Sequence, residues 1–227
     1  MKDAFLRAGF ALTDEQIDKF ERFADLLDEY NQKFNLTAIT DRDEVVIKHF
    51  IDSLLGAEFI PQGAKVADVG AGAGFPSVPL KIYRDDIDVT LIDSLNKRVG
   101  FLNIVKENLS FNNFSPVHLR AEDAGKSSMR ETFDVVVARA VAPLAVLAEY
   151  CLPLVRTGGV FLAYKAVADE TDSASTAIKL LGGELKTIHH FTLPDGSERT
   201  IIEITKVAPT PKKFPRGQNK PRLTPLA

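Results

Sequence analysis

The residues best able to do chemistry in this 227-residue chain gather at the ends of short apolar runs. Gly70, Gly72 and Gly74 follow directly on Lys65-Val66-Ala67-Asp68-Val69. Glycines placed after a strand let backbone amides approach a ligand, because no side chain stands in the way. Alone, such a turn is equally well a tight strand-to-helix connection without a ligand. Asp93 closes the next apolar run, Leu91-Ile92-Asp93, about 20 residues on, where nucleotide sites keep a ribose-hydroxyl acceptor. Ala121 and Glu122 follow a third run and bring a backbone amide and a carboxylate to the place an adenine would occupy. Each acid read singly is a solvated loop residue. Three strand ends converging on one sheet edge are a stronger signal than any one of them.

Arg139 follows Val135-Val136-Val137-Ala138, and a charge at the end of so apolar a run needs a reason. It either pairs with a buried acid, Asp68 or Asp93, or faces the ligand site and orients what binds there. Lys97, Arg98 and Lys165 also follow strand candidates and could border the same edge or be ordinary surface charges. His49, His118, His189 and His190 show no metal-ligand spacing with each other or with Cys151, so no metal is expected. Cys151 lies between Tyr150 and Leu152, the setting of a small buried hydrophobe, and a lone cysteine forms no internal disulfide.

Alternating strands and helices position these residues. Strands are expected at 65–69, 89–92, 116–120, 133–138 and 159–163, with apolar helical stretches at 99–109 and 144–154, the grammar of a parallel sheet covered on both faces. Two further strands, 185–193 and 200–207, are separated only by a segment containing Asp195-Gly196, a turn signal, and should form an antiparallel hairpin. Upstream, Thr13 and Gln16 make a capping-box helix start. Ile17, Phe20, Phe23, Ala24, Leu27 and Tyr30 recur at helical spacing, and Asp14, Glu15, Asp18, Glu21, Asp25, Asp28 and Glu29 line the other side as a solvated stripe. A second helix from 42 to about 55 turns Val45, Val46, Phe50 and Leu54 inward. The chain therefore divides into a helical cap (1–60), an α/β domain (61–208) and a tail (209–227).

A hydrophobic fraction of 45% and a charged fraction of 26% are those of an ordinary globular protein, and no apolar run is long enough to span a bilayer. With no export signal at Met1-Lys2-Asp3 the chain is expected in the cytoplasm, as a monomer. The net charge of -3 hides opposite ends: after Glu203 there are bases only, including Lys212, Arg216 and Arg222. Bases interleaved with Phe214 suit a segment that tracks phosphates and stacks on a base, although prolines and Gly217 also suit a disordered end.

The glycine loop reads GxGxG followed by Phe75-Pro76, so the third glycine of the dinucleotide fingerprint is a phenylalanine. A dinucleotide-binding sheet also ends in parallel strands, whereas five parallel strands closed by a hairpin resemble the class I methyltransferase sheet, a Rossmann-like seven-stranded α/β fold, here with an N-terminal helical cap. Both features shift the expected ligand from a nicotinamide cofactor to S-adenosylmethionine.

Asn35-Leu36-Thr37-Ala38-Ile39, His49-Phe50-Ile51-Asp52-Ser53-Leu54, Asp68-Val69-Gly70-Ala71-Gly72-Ala73-Gly74-Phe75-Pro76, Ala138-Arg139-Ala140 and Phe214-Pro215-Arg216 occur in that order. In that combination, across nearly the whole chain, the sequence resembles the RsmG (GidB) family of bacterial 16S rRNA guanine-N7 methyltransferases. Departures are small: Phe214 where the family often has tyrosine, Lys165-Ala166 where many members have Lys-Gly, and a loosened tail spacing at Gly217-Gln218-Asn219. The resemblance implies donor binding by Gly70, Phe75, Ala121, Glu122 and Arg139. The loop glycine Gly72 and Asp93 join them from spacing. It also implies an acceptor in 16S rRNA of the small ribosomal subunit, with Asn35 and His49 bordering the acceptor side and Lys97, Arg98, Lys165, Lys212 and Arg216 meeting RNA.

Guanine N7 carries a free lone pair, so methylation needs no strong base and positioning should dominate, with Arg139 as the catalytic orienting group. Three rivals remain at this level: a nicotinamide-dependent oxidoreductase, an RNA-binding protein with an inactive donor pocket, and a methyltransferase acting on a small molecule.

Overall fold

The computed structural model describes residues 1–166 and 170–226. Its strands are β1 (Lys65–Val69), β2 (Asp88–Asp93), β3 (Phe114–His118), β4 (Phe133–Arg139), β5 (Val155–Lys165), β6 (Gly183–Thr192) and β7 (Glu198–Lys206). They form one sheet in the order β3-β2-β1-β4-β5-β7-β6. β1 to β5 run parallel, and β7 is antiparallel to both β5 and β6. The closing hairpin turns at Asp195-Gly196, where Gly196 takes φ +83 and donates its amide to the carbonyl of Leu193, whose own amide donates to the carbonyl of Ser197.

Alternation along the buried strands sorts side chains into two cores, one per face. Val66, Leu91, Val135, Val137 and Leu162 join the cap. Ala67, Val69, Ile92, Val136, Ala138 and Phe161 face the opposite layer, which contains α8 (Leu144–Cys151) and α9 (Thr171–Leu180). Cys151 is buried there, without a disulfide.

The cap begins with α1 (Lys2–Arg7) and α2 (Asp14–Phe34). Thr13 caps α2 and Gln16 completes the capping box. The Gln16 amide also donates to the carbonyls of Ile82 and Tyr83, at the end of α5 (Ser77–Tyr83), so one residue closes two helix termini. The acidic stripe is spent on exposed pairs such as Lys19–Glu15 and Arg22–Asp18, each contributing a few tenths of a kcal/mol. The opposite face of α2 buries Phe20 and Phe23 against Phe50, with ring centroids 5.1 and 5.5 Å apart. Burying one such ring stabilises by roughly 1.5–3 kcal/mol.

The second cap helix is not one regular α-helix. α3 (Arg42–Val45) widens into a π-helical stretch, Val46–Ile51, before α4 (Asp52–Leu54). Such stretches are rare and concentrate at functional sites. Here the stretch carries Lys48 and His49 and ends at Asp52.

Three other boundaries differ from the sequence pattern. β3 begins at Phe114, which is buried beside Phe111, and ends before Leu119, whose amide turns to the carbonyl of Asp93. α8 stops at Cys151, with Leu152 still in helical geometry, because Pro153 has no amide hydrogen to donate to the carbonyl of Glu149. β5 starts at Val155, and a register shift between Phe133 and Val135 absorbs the extra residues, with Gly158 at φ +82.

The tail is packed over much of its length. Phe214 is buried, Arg130 donates to the carbonyls of Thr210 and Phe214, and α10 (Lys220–Leu223) rests near α8. Among the described residues no helix is long and apolar enough to cross a membrane.

Candidate functional site

Two cavities open at the carboxyl edge of the parallel strands, where open α/β sheets bind ligands. The first, of about 480 Å³, is lined by Val69 and Gly70 after β1 and by Ile92, Asp93 and Ser94 after β2. Leu119, Arg120, Ala121 and Glu122, at the start of α7 (Ala121–Ala124), complete that side. Ala140, Val141 and Tyr150 form the opposite wall, and Asn219 and Arg222 of the tail close it. Its size is that of a small-molecule site.

Gly70 adopts φ +75, and a Cβ there would lie 2.6 Å from Cγ2 of Val141 across the cavity, so only glycine fits. Gly72 (φ +59) donates its amide to Oδ2 of Asp93 at 2.9 Å, and Oδ1 of Asp93 accepts from the amide of Leu95 at 2.8 Å. These bonds hold the loop and the start of α6 (Asn96–Asn108) on one carboxylate, which still has lone pairs for a hydroxyl. Arg98 approaches it at 3.4 Å. Glu122 is nearly buried and lines the same wall. The adjacent Asp68 is fully buried, and neither of its oxygens nor Oγ of Ser77 forms a hydrogen bond of ordinary geometry. Burial pushes the Asp68 carboxyl up to about 7, against the lowering influence of Ser77 and Arg139.

The second cavity, of about 360 Å³, is lined by Ile39, Lys48, His49, Asp52, Arg139, Ala140, Tyr164, Lys165, Ala166 and Arg199. Arg139 is its hub. Nη1 donates to Oδ2 of Asp52 at 2.9 Å, Nη2 donates to Nδ1 of His49 at 3.0 Å, and the guanidinium lies 4.9 Å from the centroid of the Phe75 ring. Since Nδ1 of His49 accepts, the hydrogen-bond network assigns the ring proton to Nε2, which donates to Oγ1 of Thr37 at 2.7 Å. Burial and the neighbouring Arg139 push His49 down to about 3, so the imidazole is neutral. The same ring stacks on Phe75 at 4.4 Å. Arg199 reaches Oδ2 of Asp52 at 3.4 Å. Burial raises the Asp52 carboxyl while the two arginines oppose the rise. The Tyr164 hydroxyl donates to the carbonyl of Ser53 and ties sheet to cap.

Ala140 lines both cavities and takes φ +55, a left-handed conformation costly for a residue with a Cβ. It follows Arg139 at the end of β4, so a single strand end separates the two chambers.

Gly70, Asp93, Ala121 and Glu122 thus meet in the first cavity, together with Arg98, and His49, Lys165 and Arg139 in the second. Arg139 pairs with Asp52 rather than with Asp68 or Asp93. Phe75 lies in the wall between the cap and the loop, against His49 and Phe23. Lys165 is held by Glu170 at 2.8 Å and the carbonyl of Ala142. Asn35 is the exposed left-handed C-cap of α2, and Lys97 donates to the carbonyl of Phe34 in the same corner. Lys212 is exposed. Arg216 is engaged with the buried Glu149 through its amide at 2.8 Å and its guanidinium at 2.6 Å.

Asp52, Arg199 and Tyr164 were not singled out as site residues in the sequence, and Asn219 and Arg222, read there as part of a basic tail for RNA, line the donor cavity instead. For Asp52 a signal existed: Val45, His49 and Asp52 are spaced four and three apart, which puts the acid on the inward face of its helix. Among the described residues no group of His, Cys, Asp and Glu could hold a metal ion.

Fold and paired cavities define a class I methyltransferase-type protein. Among solved structures the chain is similar to a SAM-dependent methyltransferase from Aquifex aeolicus, with TM-score 0.56 and 16% identity over 74% of this chain and 94% of that one. It is also similar to P. horikoshii TYW2 in complex with MeSAdo, with TM-score 0.56 and 14% identity over 69% and 61% of the two chains. The family model described as GidB, rRNA small subunit methyltransferase G, matches residues 16–202. Proteins named ribosomal RNA small subunit methyltransferase G are 50% identical in an Exiguobacterium strain, over 99% of this chain and 97% of the relative, and 46% identical in Bacillus subtilis, over 96% and 94%. The chain belongs to this family.

Proposed function

We propose that this protein transfers the methyl group of S-adenosylmethionine to N7 of a guanine in 16S rRNA of the small ribosomal subunit, in the cytoplasm. The observation that carries the reading is the pair of cavities meeting at Ala140 on the active edge of the sheet, one walled by the glycine loop and two carboxylates, the other by basic and aromatic groups. The names of the relatives, ribosomal RNA small subunit methyltransferase G, support the acceptor.

The donor supplies an electrophilic methyl on a sulfonium. Gly70 and Gly72 give it backbone room, Asp93 offers acceptors to ribose hydroxyls, and Ala121 and Glu122 flank the base. Phe75 backs the loop by stacking on His49. Arg139 sits at the boundary, its position fixed by Asp52, His49 and Phe75, and orients the acceptor for in-line attack. The neutral His49 is a hydrogen-bond relay to Thr37 rather than a cation for phosphate. Lys48, Lys165 and Arg199 line the second cavity, and Asn35, Lys97 and Lys212 add polar and basic groups for RNA, while Arg98 borders the donor cavity beside Asp93 and Arg216 is held by Glu149.

The test is transfer from labelled donor to small-subunit rRNA, with N7-methylguanosine mapped in rRNA from cells with and without the protein. Arg139→Ala should lower transfer by about 100-fold or more, in the range of lost transition-state positioning. Full activity of that variant, or no N7-methylguanosine dependent on the protein, would sink the proposal.

A further inference from the structure

The second cavity has an anionic wall that the reaction itself does not require. Methylation at N7 consumes a lone pair and needs no base, yet Asp52 lines the chamber that adjoins the donor cavity. Its carboxylate is 8% exposed, and both arginine contacts, from Arg139 at 2.9 Å and Arg199 at 3.4 Å, fall on Oδ2. Among the described residues no hydrogen bond is made to Oδ1. A carboxylate turned into a base-sized chamber presents acceptors only.

An acceptor-only wall discriminates among nucleobases. Guanine alone carries two adjacent donors, N1–H and the 2-amino group, on its Watson–Crick edge. Adenine and cytosine offer one amino group beside a ring lone pair, which a carboxylate repels, and uracil offers one N–H between two carbonyls. N7 lies on the edge of the purine away from N1 and the 2-amino group. A guanine held by its Watson–Crick edge therefore keeps N7 free and turned away from the carboxylate. Enzymes that act on an extruded base read that edge in this manner.

We propose that Asp52 is the specificity-determining residue for the acceptor, its carboxylate accepting from N1–H and the 2-amino group of a guanine seated in the chamber that Arg139 and Tyr164 line. This rests on the methyl-transfer reading and deepens it: the site selects guanine through an edge other than the one it modifies. Arg139 and Arg199 hold the carboxylate in place from Oδ2, so the fork that orients the acceptor and the group that recognises it form one unit.

The test uses small-subunit rRNA ligated to carry either guanosine or inosine, which lacks only the 2-amino group, at the mapped position. The wild-type protein should prefer guanosine in kcat/KM by about 10-fold or more, the discrimination expected of a good hydrogen-bonding pair. Asp52→Asn should lower activity on guanosine and compress the guanosine-to-inosine ratio to within about 3-fold, while donor affinity by calorimetry stays near wild type. A merely structural carboxylate would lower both rates together and leave the ratio untouched, and that result overturns the assignment. Equal use of guanosine and inosine by the wild-type protein overturns it without any variant. No methyl transfer to either RNA by the wild-type protein would instead refute the underlying function.

Discussion

Replacing Arg216 by alanine distinguishes an RNA contact from a structural anchor. Glu149 on α8 is buried, its side chain 1% exposed, and Arg216 satisfies it with Nε at 2.9 Å and Nη2 at 2.6 Å in addition to its own amide. Removing the guanidinium leaves the amide bond but strands a charge inside the protein. Breaking a buried pair from one side costs about 3–5 kcal/mol. Arg216 is itself 23% exposed, which places the cost near the lower end, at about 3 kcal/mol. Peeling the tail away would cap the loss, but it would give up the burial of Phe214 and the bonds from Arg130 as well. For a chain of this size about 3 kcal/mol lowers Tm by roughly 6–12 °C. Urea denaturation measures the free energy, and Glu149→Gln combined with Arg216→Met should recover part of it. If Arg216 served chiefly as a phosphate contact, the variant would keep its stability. Its rRNA affinity would instead lose about one unit of slope against the logarithm of salt concentration. A stability loss under about 0.5 kcal/mol, the range of ordinary surface substitutions, would refute the structural reasoning.

The glycine loop and the buried titratable groups give further expectations. Gly70→Ala should weaken S-adenosylmethionine binding by about 10-fold or more in calorimetry, because its Cβ meets Val141 in the donor cavity. Gly196→Ala, with a similar φ of +83 and open space around it, should cost about 1 kcal/mol and leave donor affinity unchanged. Between pH 7 and pH 5 two sites oppose each other. His49, depressed to about 3, loses stability as pH falls below its unfolded value of 6.5, because only the unfolded chain takes up the proton. Asp68, raised to about 7, gains stability over the same range, because the folded protein takes up its proton first. Each effect is on the order of 2 kcal/mol. Asp68→Asn should therefore make stability fall more steeply than wild type from pH 7 to pH 5 in denaturant titrations; parallel curves would count against it.

Much of the fold was written in patterns that local physics enforces. The short apolar runs at β1 and β4, the Thr13 and Gln16 capping box and the Asp195-Gly196 turn each depend on a few neighbouring residues, and each stands as the pattern implied. Where the pattern misled, a distant or backbone constraint decided. β3 slides toward Phe114 because that ring finds Phe111, and helix 144–154 is cut short by Pro153. The π-helical stretch has no propensity signature at all, since Val46, Ile47 and Phe50 would serve an α-helix equally well.

The site shows the same division more sharply. Gly70, Asp93 and Glu122 were legible because a parallel sheet brings successive strand ends to one edge, so sequence order alone predicts that they meet. Arg139 was legible as an anomaly but not as a structure. Its partners His49 and Asp52 lie 90 and 87 residues upstream on a cap helix whose docking the sheet's own pattern does not specify. The stacked Phe75 joins the two halves, touching the loop through the backbone and Arg139 and His49 through the ring. A substitution at Phe75 should accordingly disturb both chambers, whereas Glu122 should report on the donor side and Asp52 on the acceptor side alone. That asymmetry follows from a single strand end at Ala140 standing between the cavities, and it makes the two binding steps separable by mutation.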